Sequence, residues 1–255
     1  MKKYFLMICY SLMHNGKNRK ELFVRSSFFL AILYIFSKLW QATQFSDAAN
    51  QQSMIWYLSV TELIVLSVPF IQVDIENDIR SGDVVYQLLK PMNYLWLKIS
   101  DCIGSFLFRF TVLMLIAIPF CAYLSGSIPP LPILFATYLT AGIAGLVFIL
   151  FQTTIGLLAF KLQDSTPIFW VWQRCSFLFG GLLIPLDFYP AYLKTTAYFL
   201  PFASLLYGPG RLILSFNIEH FFIVLGGLLF WGSFALFLAN WMYIRMLKAL
   251  KVNGG

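Results

Sequence analysis

Residues 132–160 read PILFATYLTAGIAGLVFILFQTTIGLLAF, a run of 29 residues without one charged side chain. A helix that crosses a bilayer needs roughly 20 mostly apolar residues. This run therefore predicts a membrane-spanning helix that is long enough to tilt or to project past the membrane.

Five more apolar runs flank it, and they occupy residues 22–41, 54–73, 100–124, 168–186 and 221–244. The chain is 60% hydrophobic and only 11% charged, whereas soluble domains are about a quarter charged. We therefore expect one all-α, polytopic membrane domain over residues 1–255, with six transmembrane helices and no separate soluble domain.

The positive charges are distributed unevenly over the segments that connect these runs. Of the 18 Lys and Arg residues, 13 fall on the side that holds both termini, and only Lys194 and Arg211 fall on the other. Lysine and arginine accumulate in cytoplasmic loops, so both termini are predicted to be cytoplasmic. This bias and anionic membrane lipid account for the net charge of +7, and no nucleic-acid partner is implied.

The segment 1–20 precedes the first span. Phe5, Ile8, Leu12 and Met13 recur at helical spacing, which is typical of a short amphipathic helix lying at the membrane interface. The alternative is a frayed apolar terminus.

A dense polar stretch, DIENDIRSGDVVYQLLKPMNY (74–94), follows the second span and dominates the loop 74–98. Glu76 and Arg80 form a favourable i,i+4 pair, so the second span is expected to continue as a helix to about Arg80. Gly82 can adopt the left-handed conformation that ends a helix, and Asp83 can cap the next one.

The helix predicted after Asp83 is only about two turns long, with Val84, Val85, Leu88 and Leu89 on one side. Lys90 suits its last turn, and Pro91 ends it. Two turns are too few to be stable alone in water, so this helix needs a surface to dock on. That surface is either another protein or the lipid headgroups.

Two motifs resemble the permeases of ABC type-2 exporters. The run DIRSGDVVYQLLKP (78–91) is similar to the family's signature after the second span. The run GLLIPLDFYPAYLKTTAYFLPFASLLYGPGRL (181–212) is similar to its pattern before the last span. Six spans with both ends inside agree with this resemblance, and the closest branch is the prokaryotic group of stand-alone permease subunits.

The resemblance implies a permease subunit of an ATP-driven exporter in the inner (cytoplasmic) membrane of a prokaryote. Residues 83–90 would then be the coupling helix that sits in a groove of a separate ATPase. A second permease, either the same chain or a related one, would complete the pathway. The residues that it implicates in coupling are Asp78, Arg80, Gly82, Asp83, Val84, Val85, Leu88, Leu89, Lys90 and Pro91.

The chain carries no Gly-x-x-x-x-Gly-Lys-Ser/Thr loop, so ATP and its Mg²⁺ are expected on the partner ATPase. The cysteines lack metal-ligand spacing, and His14 and His220 are predicted near opposite membrane faces. We therefore predict no catalytic residue, no metal and no cofactor in this chain.

The segment 187–211 is rich in aromatic residues and is divided by prolines at 190, 201 and 209. Aromatic rings favour the interface level of the membrane. This pattern predicts short helices that dip back into the outer face, and the alternative is a plain interfacial loop.

Charged residues inside the spans are candidates for the pathway or the substrate site. Arg109 and Arg174 are predicted at similar depth, where they would hold an anionic group; the alternatives are structural pairing and snorkelling to headgroups. Glu62 is a third candidate, and it could instead pair with Lys38 as a structural bridge. An ion-driven carrier would rely on Glu62 and Asp101, and a membrane scaffold without transport activity is the remaining alternative.

Overall fold

The computed structural model describes residues 2–15, 19–43 and 48–253, and every regular element in these ranges is helical. The α-helices in chain order are α1 (Lys2–Asn15), α2 (Arg19–Thr43), α3 (Ala48–Ser67), α4 (Ile71–Ser81), α5 (Asp83–Leu88), α6 (Tyr94–Ser125), α7 (Leu131–Leu157), α8 (Ala159–Leu162), α9 (Thr166–Phe179), α10 (Ala191–Phe199), α11 (Gly208–Leu214) and α12 (Ile218–Asn253). A 3₁₀ turn at Leu186–Phe188 precedes α10, and a π-helical turn at Ala203–Tyr207 precedes α11.

Five helical segments of the described chain are long and apolar enough to cross a membrane. They are Lys20–Ala42, Gln52–Ser81, Tyr94–Ser125, Leu131–Leu162 and Ile218–Lys248. They coincide with the first, second, third, fourth and sixth predicted spans, which confirms the all-α, multi-pass architecture.

The second and fourth of these segments form the centre of the molecule. Their apolar windows are 83% and 61% buried, against 11–22% for the other three. A helix that is apolar all round and buried belongs to the core of a bundle. The segments built on α2, α6 and α12 therefore present most of their apolar surface outward, where a bilayer would cover it.

The predicted fifth span, 168–186, is wrong at its second boundary. It is occupied by α9, whose 14 residues reach about 21 Å at 1.5 Å per residue, less than the roughly 30 Å of a bilayer core. The chain turns at Gly181, where φ is +61°, a conformation that glycine adopts without strain. A sixth crossing that runs through α9 remains a prediction.

The segment 187–211 forms short helices that return into the bundle. α11 packs against both α3 and α7, and a Cβ on Gly210 would lie only 2.6 Å from the Tyr57 ring. The Tyr57 hydroxyl donates to the Gly181 carbonyl, and the Thr61 hydroxyl donates to the Leu182 carbonyl at 2.8 Å. The geometry agrees with the expected re-entrant helices; their position at the outer face remains a prediction.

Helix α1 covers most of the predicted segment 1–20, of which residues 1 and 16–18 lie outside the described ranges. It packs along α6, where a Cβ on Gly104 would meet the Ile8 carbonyl at 2.4 Å. The Ser11 hydroxyl donates to the Asp101 carbonyl at 2.7 Å. Phe5 and Met13 stay exposed, so the face of α1 opposite α6 is apolar, as an interfacial helix requires; the interfacial location itself remains a prediction.

Candidate functional site

The connection between α3 and α4 is a helix break at residues 68–70, inside the segment that was expected to be one continuous helix to Arg80. Pro69 has no backbone N–H and its ring clashes with the preceding turn, which favours a break in the helix at this position. The break leaves the last carbonyls of α3 without helical partners, and the Leu66 carbonyl accepts a hydrogen bond from Arg25 Nη1 at 3.0 Å. Helix α4 is therefore separate from α3, and α4 together with α5 forms the arm of the molecule.

Helix α4 lies against the end of α7. Ile71, Gln72, Ile75 and Glu76 are its buried residues. A Cβ on Gly156 would lie 2.9 Å from the Cα of Gln72, so the two backbones are in direct contact. A side chain larger than glycine at position 156 would therefore push α4 away from α7.

Gly82 separates α4 from α5 as the sequence predicts, because its φ of +78° ends α4 in the left-handed conformation. The predicted role of Asp83 is wrong. Gly82 occupies the N-cap position, and Asp83 is the first helical residue and makes no capping bond. Asp83 has helical backbone angles and therefore does not take the extended conformation of an N-cap. Its carboxylate instead accepts a hydrogen bond from the Ser81 hydroxyl at 2.8 Å.

The four apolar residues of α5 do not share one face. Val84 is buried and Leu88 is half-buried, whereas Val85 and Leu89 are 52% and 80% exposed. Residues four apart lie on the same side of a helix, so Val84 and Leu88 hold α5 against the protein. Val85 and Leu89, together with the exposed Tyr86, form an outward apolar face.

Lys90 and Pro91 lie beyond the end of α5 at Leu88 rather than in its last turn. The N–H of Lys90 donates to the Gln87 carbonyl at 3.3 Å, and both residues are exposed. The helix is thus one turn and a half long, shorter than expected.

Asp78 connects three helices. Its Oδ2 lies 2.7 Å from Lys98 Nζ, and it accepts from the Tyr94 hydroxyl at 2.8 Å and from Gln87 Nε2 at 3.0 Å. Tyr94 and Lys98 begin α6, and Gln87 belongs to α5. Through these contacts Asp78 fixes α5 to the start of α6, and its predicted role in coupling stays a prediction.

Glu76 and Arg80 tie the arm to the segment before α9. Their predicted i,i+4 pair is present, with Arg80 Nη2 3.0 Å from Glu76 Oε1. Glu76 also accepts from the backbone N–H and the hydroxyl of Ser165, and Arg80 Nε donates to the Gln163 carbonyl at 3.0 Å. Arg80 is still half-exposed, but its guanidinium already has internal partners.

Asp164 belongs to the same junction and lies 3.6 Å from the Arg80 guanidinium. The backbone N–H of Thr166 donates to its carboxylate at 2.9 Å, and this bond, more than the charge of Arg80, lowers the pKa of Asp164 below its ordinary value. The carboxylate is therefore ionised at neutral pH.

Arg109 is paired inside the chain. Its Nη2 lies 2.7 Å from Glu21 Oε1, and the same oxygen accepts from Arg25 Nε at 2.9 Å. Glu21 thus bridges α2 to α6, which supports the structural interpretation of Arg109.

Arg174 is exposed on α9, and within the described ranges it forms no ion pair. Within the described residues, Arg109 and Arg174 do not share a bonding partner.

A cavity of about 350 Å³ lies between α2, α3, α7 and α9. Glu62 lines it and is only 5% exposed. The predicted bridge to Lys38 is absent from the described part of the chain, because Lys38 Nζ donates to Gln41 at 3.2 Å instead. Glu62 therefore faces the cavity without a partner among the described residues.

Asp187 holds the re-entrant segment together. Lys194 Nζ lies 2.7 Å from one carboxylate oxygen, and the Tyr207 hydroxyl donates to the other at 2.7 Å. Burial alone would raise the pKa of Asp187, but these two bonds outweigh it and lower that pKa below its ordinary value.

Residues 22–254 match the family described as "ABC-2 family transporter protein". The chain belongs to the ABC-2 transporter family. No curated protein matches it. Family membership confirms the resemblance inferred from the motifs at 78–91 and 181–212, and it assigns this ABC-2 chain a permease role in a membrane.

Several residues of this ABC-2 permease that position the arm were not predicted. Lys98, Tyr94 and Ser165 are separated from their carboxylate partners by 16 to 89 positions in the chain. Side-chain type carries no information on such distant pairing. Pro69 did carry a signal, since a proline inside a helical pattern ends or kinks the helix.

Proposed function

We propose that this ABC-2 permease is the membrane subunit of an ATP-driven exporter and that α5 couples it to a separate ATPase. The observation that carries the proposal is the outward apolar face of α5, formed by Val85, Tyr86 and Leu89. Aromatic and apolar side chains exposed on a rigid surface element are typical anchors of a protein interface.

The way in which α5 is held supports a role in transmission. Val84 and Leu88 fix it to the protein, and Asp78 joins it to α4 and α6 through three contacts. Glu76 extends the connection to the segment before α9. A force applied to α5 would therefore reach the start of the long helix α6 and the start of α9.

The remaining features of the proposal follow from the sequence and the family. The ATPase supplies the sites for ATP and Mg²⁺, and a second permease, identical or related, completes the pathway. The lysine and arginine distribution supports a cytoplasmic location for α5 and both termini, and the resemblance to stand-alone prokaryotic permeases supports the inner membrane of a prokaryote.

The test is the substitution Leu89→Asp. Leu89 is 80% exposed, so the substitution leaves folding intact and would bury a charge in the proposed interface. Losing such an anchor costs about 2 kcal/mol or more, which is roughly a thirtyfold loss of affinity. The measurement is co-purification with the co-expressed ATPase and stimulation of vanadate-sensitive ATP hydrolysis.

Leu162→Asp is the matched control, because Leu162 is an exposed apolar residue of α8 on the same predicted side. It should leave both readouts unchanged. If Leu89→Asp and Val85→Asp both co-purify with the ATPase as well as the wild type, α5 is not the docking helix. Substrate movement driven by an ion gradient without any ATPase would refute the ATP-driven mechanism altogether.

A further inference from the structure

The cavity between α2, α3, α7 and α9 contains a carboxyl group that the protein itself does not satisfy. Glu62 is 95% removed from solvent by the surrounding chain, and within the described ranges no hydrogen bond or ion pair reaches it. Burying an unpaired charge costs several kcal/mol, and ionisable residues at membrane depth mark functional sites. A group that meets Glu62 from inside the cavity would offset this cost.

Two further polar atoms of the lining also lack a partner in the described chain. They are Oε1 of Gln152 on α7 and Nε1 of Trp172 on α9. Buried polar groups are nearly always hydrogen-bonded in folded proteins. Three polar groups around one cavity thus have no hydrogen-bond partner in the described chain, which indicates that the protein alone does not satisfy this cavity.

Most of the rest of the lining is apolar and aromatic, and its other polar members are Arg25, Gln173 and Ser176. Phe28, Phe70, Phe148 and Phe177 contribute rings from four different segments. The volume of about 350 Å³ falls in the range of small-molecule sites, which are mostly apolar with a few convergent polar groups. Aromatic faces near a carboxyl group also favour a cation.

Arg25 is the other charged residue in the lining, and its contacts distinguish between a cationic and an anionic ligand. Its Nε donates to Glu21, its Nη1 donates to the Leu66 carbonyl, and its guanidinium lies 5.8 Å from the centre of the Phe70 ring. The positive charge is thus engaged by the protein, whereas the carboxyl group of Glu62 is not.

We propose that this cavity binds an amphiphilic organic cation, with its charged or N–H-bearing group at Glu62 and its apolar part against the phenylalanine rings. Its role as a substrate site rests on the transport function proposed above, whereas binding itself does not.

The experiment uses two probes of nearly the same size and shape, tetraphenylphosphonium and tetraphenylborate. The full chain is purified without ATPase into phosphatidylcholine nanodiscs, and binding is measured by equilibrium dialysis. We expect saturable binding of the phosphonium, with at least tenfold weaker binding of the borate.

Glu62→Gln keeps the side-chain shape and removes the charge, and it should weaken phosphonium binding at least tenfold. Glu219→Gln is the matched control, because Glu219 lies in the first turn of α12 outside the cavity, and its binding should equal the wild type. Val65→Phe enlarges a side chain of the lining, keeps the Glu62 carboxyl group and should also abolish binding; thermal melting checks that each variant is folded.

Equal binding of both probes, or unchanged phosphonium binding in folded Glu62→Gln or Val65→Phe, would overturn the proposal and leave the cavity to lipid chains. The two proposals fail separately. A chain that binds the phosphonium but does not stimulate an ATPase refutes the coupling alone, and one that stimulates an ATPase but binds no cation refutes the site alone.

Discussion

The acidic residues Asp78 and Glu76 of the arm formed by α4 and α5 are bonded to neighbouring residues, whereas the acidic residue of the cavity beside α3 is not bonded in the described chain. Asp78 has three partners on α5 and α6, and Glu76 is bonded to Arg80 within α4 and to Ser165 before α9, whereas Glu62 has no partner within the described ranges. A carboxylate with several fixed partners holds a structure rigid. A buried carboxyl group without partners is destabilising and is retained only where another function needs it.

The difference indicates a division of tasks within one chain. Under the proposed function, the bonded arm keeps its geometry, because a contact that transmits force must not deform. The cavity is left incomplete, because a site that is already satisfied has nothing to offer a ligand. Substitutions in the two regions should therefore have opposite effects on stability and on binding.

Asp78→Ala should give the largest effect. It removes three contacts at once and leaves Lys98, which is only 18% exposed, without its counter-ion. We expect a loss of about 2–3 kcal/mol in the free energy of unfolding. Thermal melting gives this loss, and faster hydrogen exchange over residues 83–88 shows that α5 has loosened.

Asp164→Asn is the control for that change, because it removes an exposed ion pair of the arm and keeps an oxygen that can accept from the Thr166 N–H. Exposed pairs contribute about 0–1 kcal/mol, so this variant should melt close to the wild type. If both variants melt alike, Asp78 does not connect the three helices as described.

The comparison also shows how far the sequence alone reaches. Hydropathy correctly identifies five helices that are long and apolar enough to cross a membrane, because a span is a local property of about 20 residues. Gly82 is predicted correctly for the same reason, since its left-handed conformation is a local requirement. The i,i+4 pair of Glu76 and Arg80 is local as well.

The features that the sequence did not predict depend on tertiary contacts. Glu21 and Arg109 are 88 positions apart, and only the packing of α2 on α6 brings them together. The two faces of α5 depend on which side of the helix the protein covers, which an apolar pattern of six residues cannot specify. The early end of α9 depends on where the re-entrant helices fit into the bundle.

Arg109→Gln and Glu62→Gln, compared with each other, give the next effect in size. The first breaks the contact to Glu21 in a mostly buried position and should lower the free energy of unfolding by about 1–2 kcal/mol. The second replaces an unpaired carboxyl group with a neutral side chain of the same shape, and it should leave stability unchanged or raise it. Thermal melting in nanodiscs, without added ligand, provides the measurement.

A Glu62→Gln variant that melts well below the wild type would show that Glu62 has a structural partner after all, and the contrast between arm and cavity would be lost.

Gly82→Ala should have the smallest effect on stability but a specific effect on coupling. Gly82 has φ of +78°, and a Cβ at this position would meet no atom within 4 Å, so the cost comes from the backbone alone. A left-handed residue other than glycine costs roughly 1–2 kcal/mol, and the lower entropy of the unfolded alanine chain offsets part of this, which leaves about 1 kcal/mol.

Gly126→Ala is the matched control, because Gly126 has φ of +70°, also has open space around it and ends α6 instead. Both variants should therefore melt at the same slightly lowered temperature. Only Gly82→Ala strains the junction between α4 and α5, so only it should reduce the stimulation of ATP hydrolysis by a co-purified ATPase. Equal stimulation by the two variants would mean that the orientation of α5 does not matter for coupling, and the rigid arm would then be a structural feature without a role in transmission.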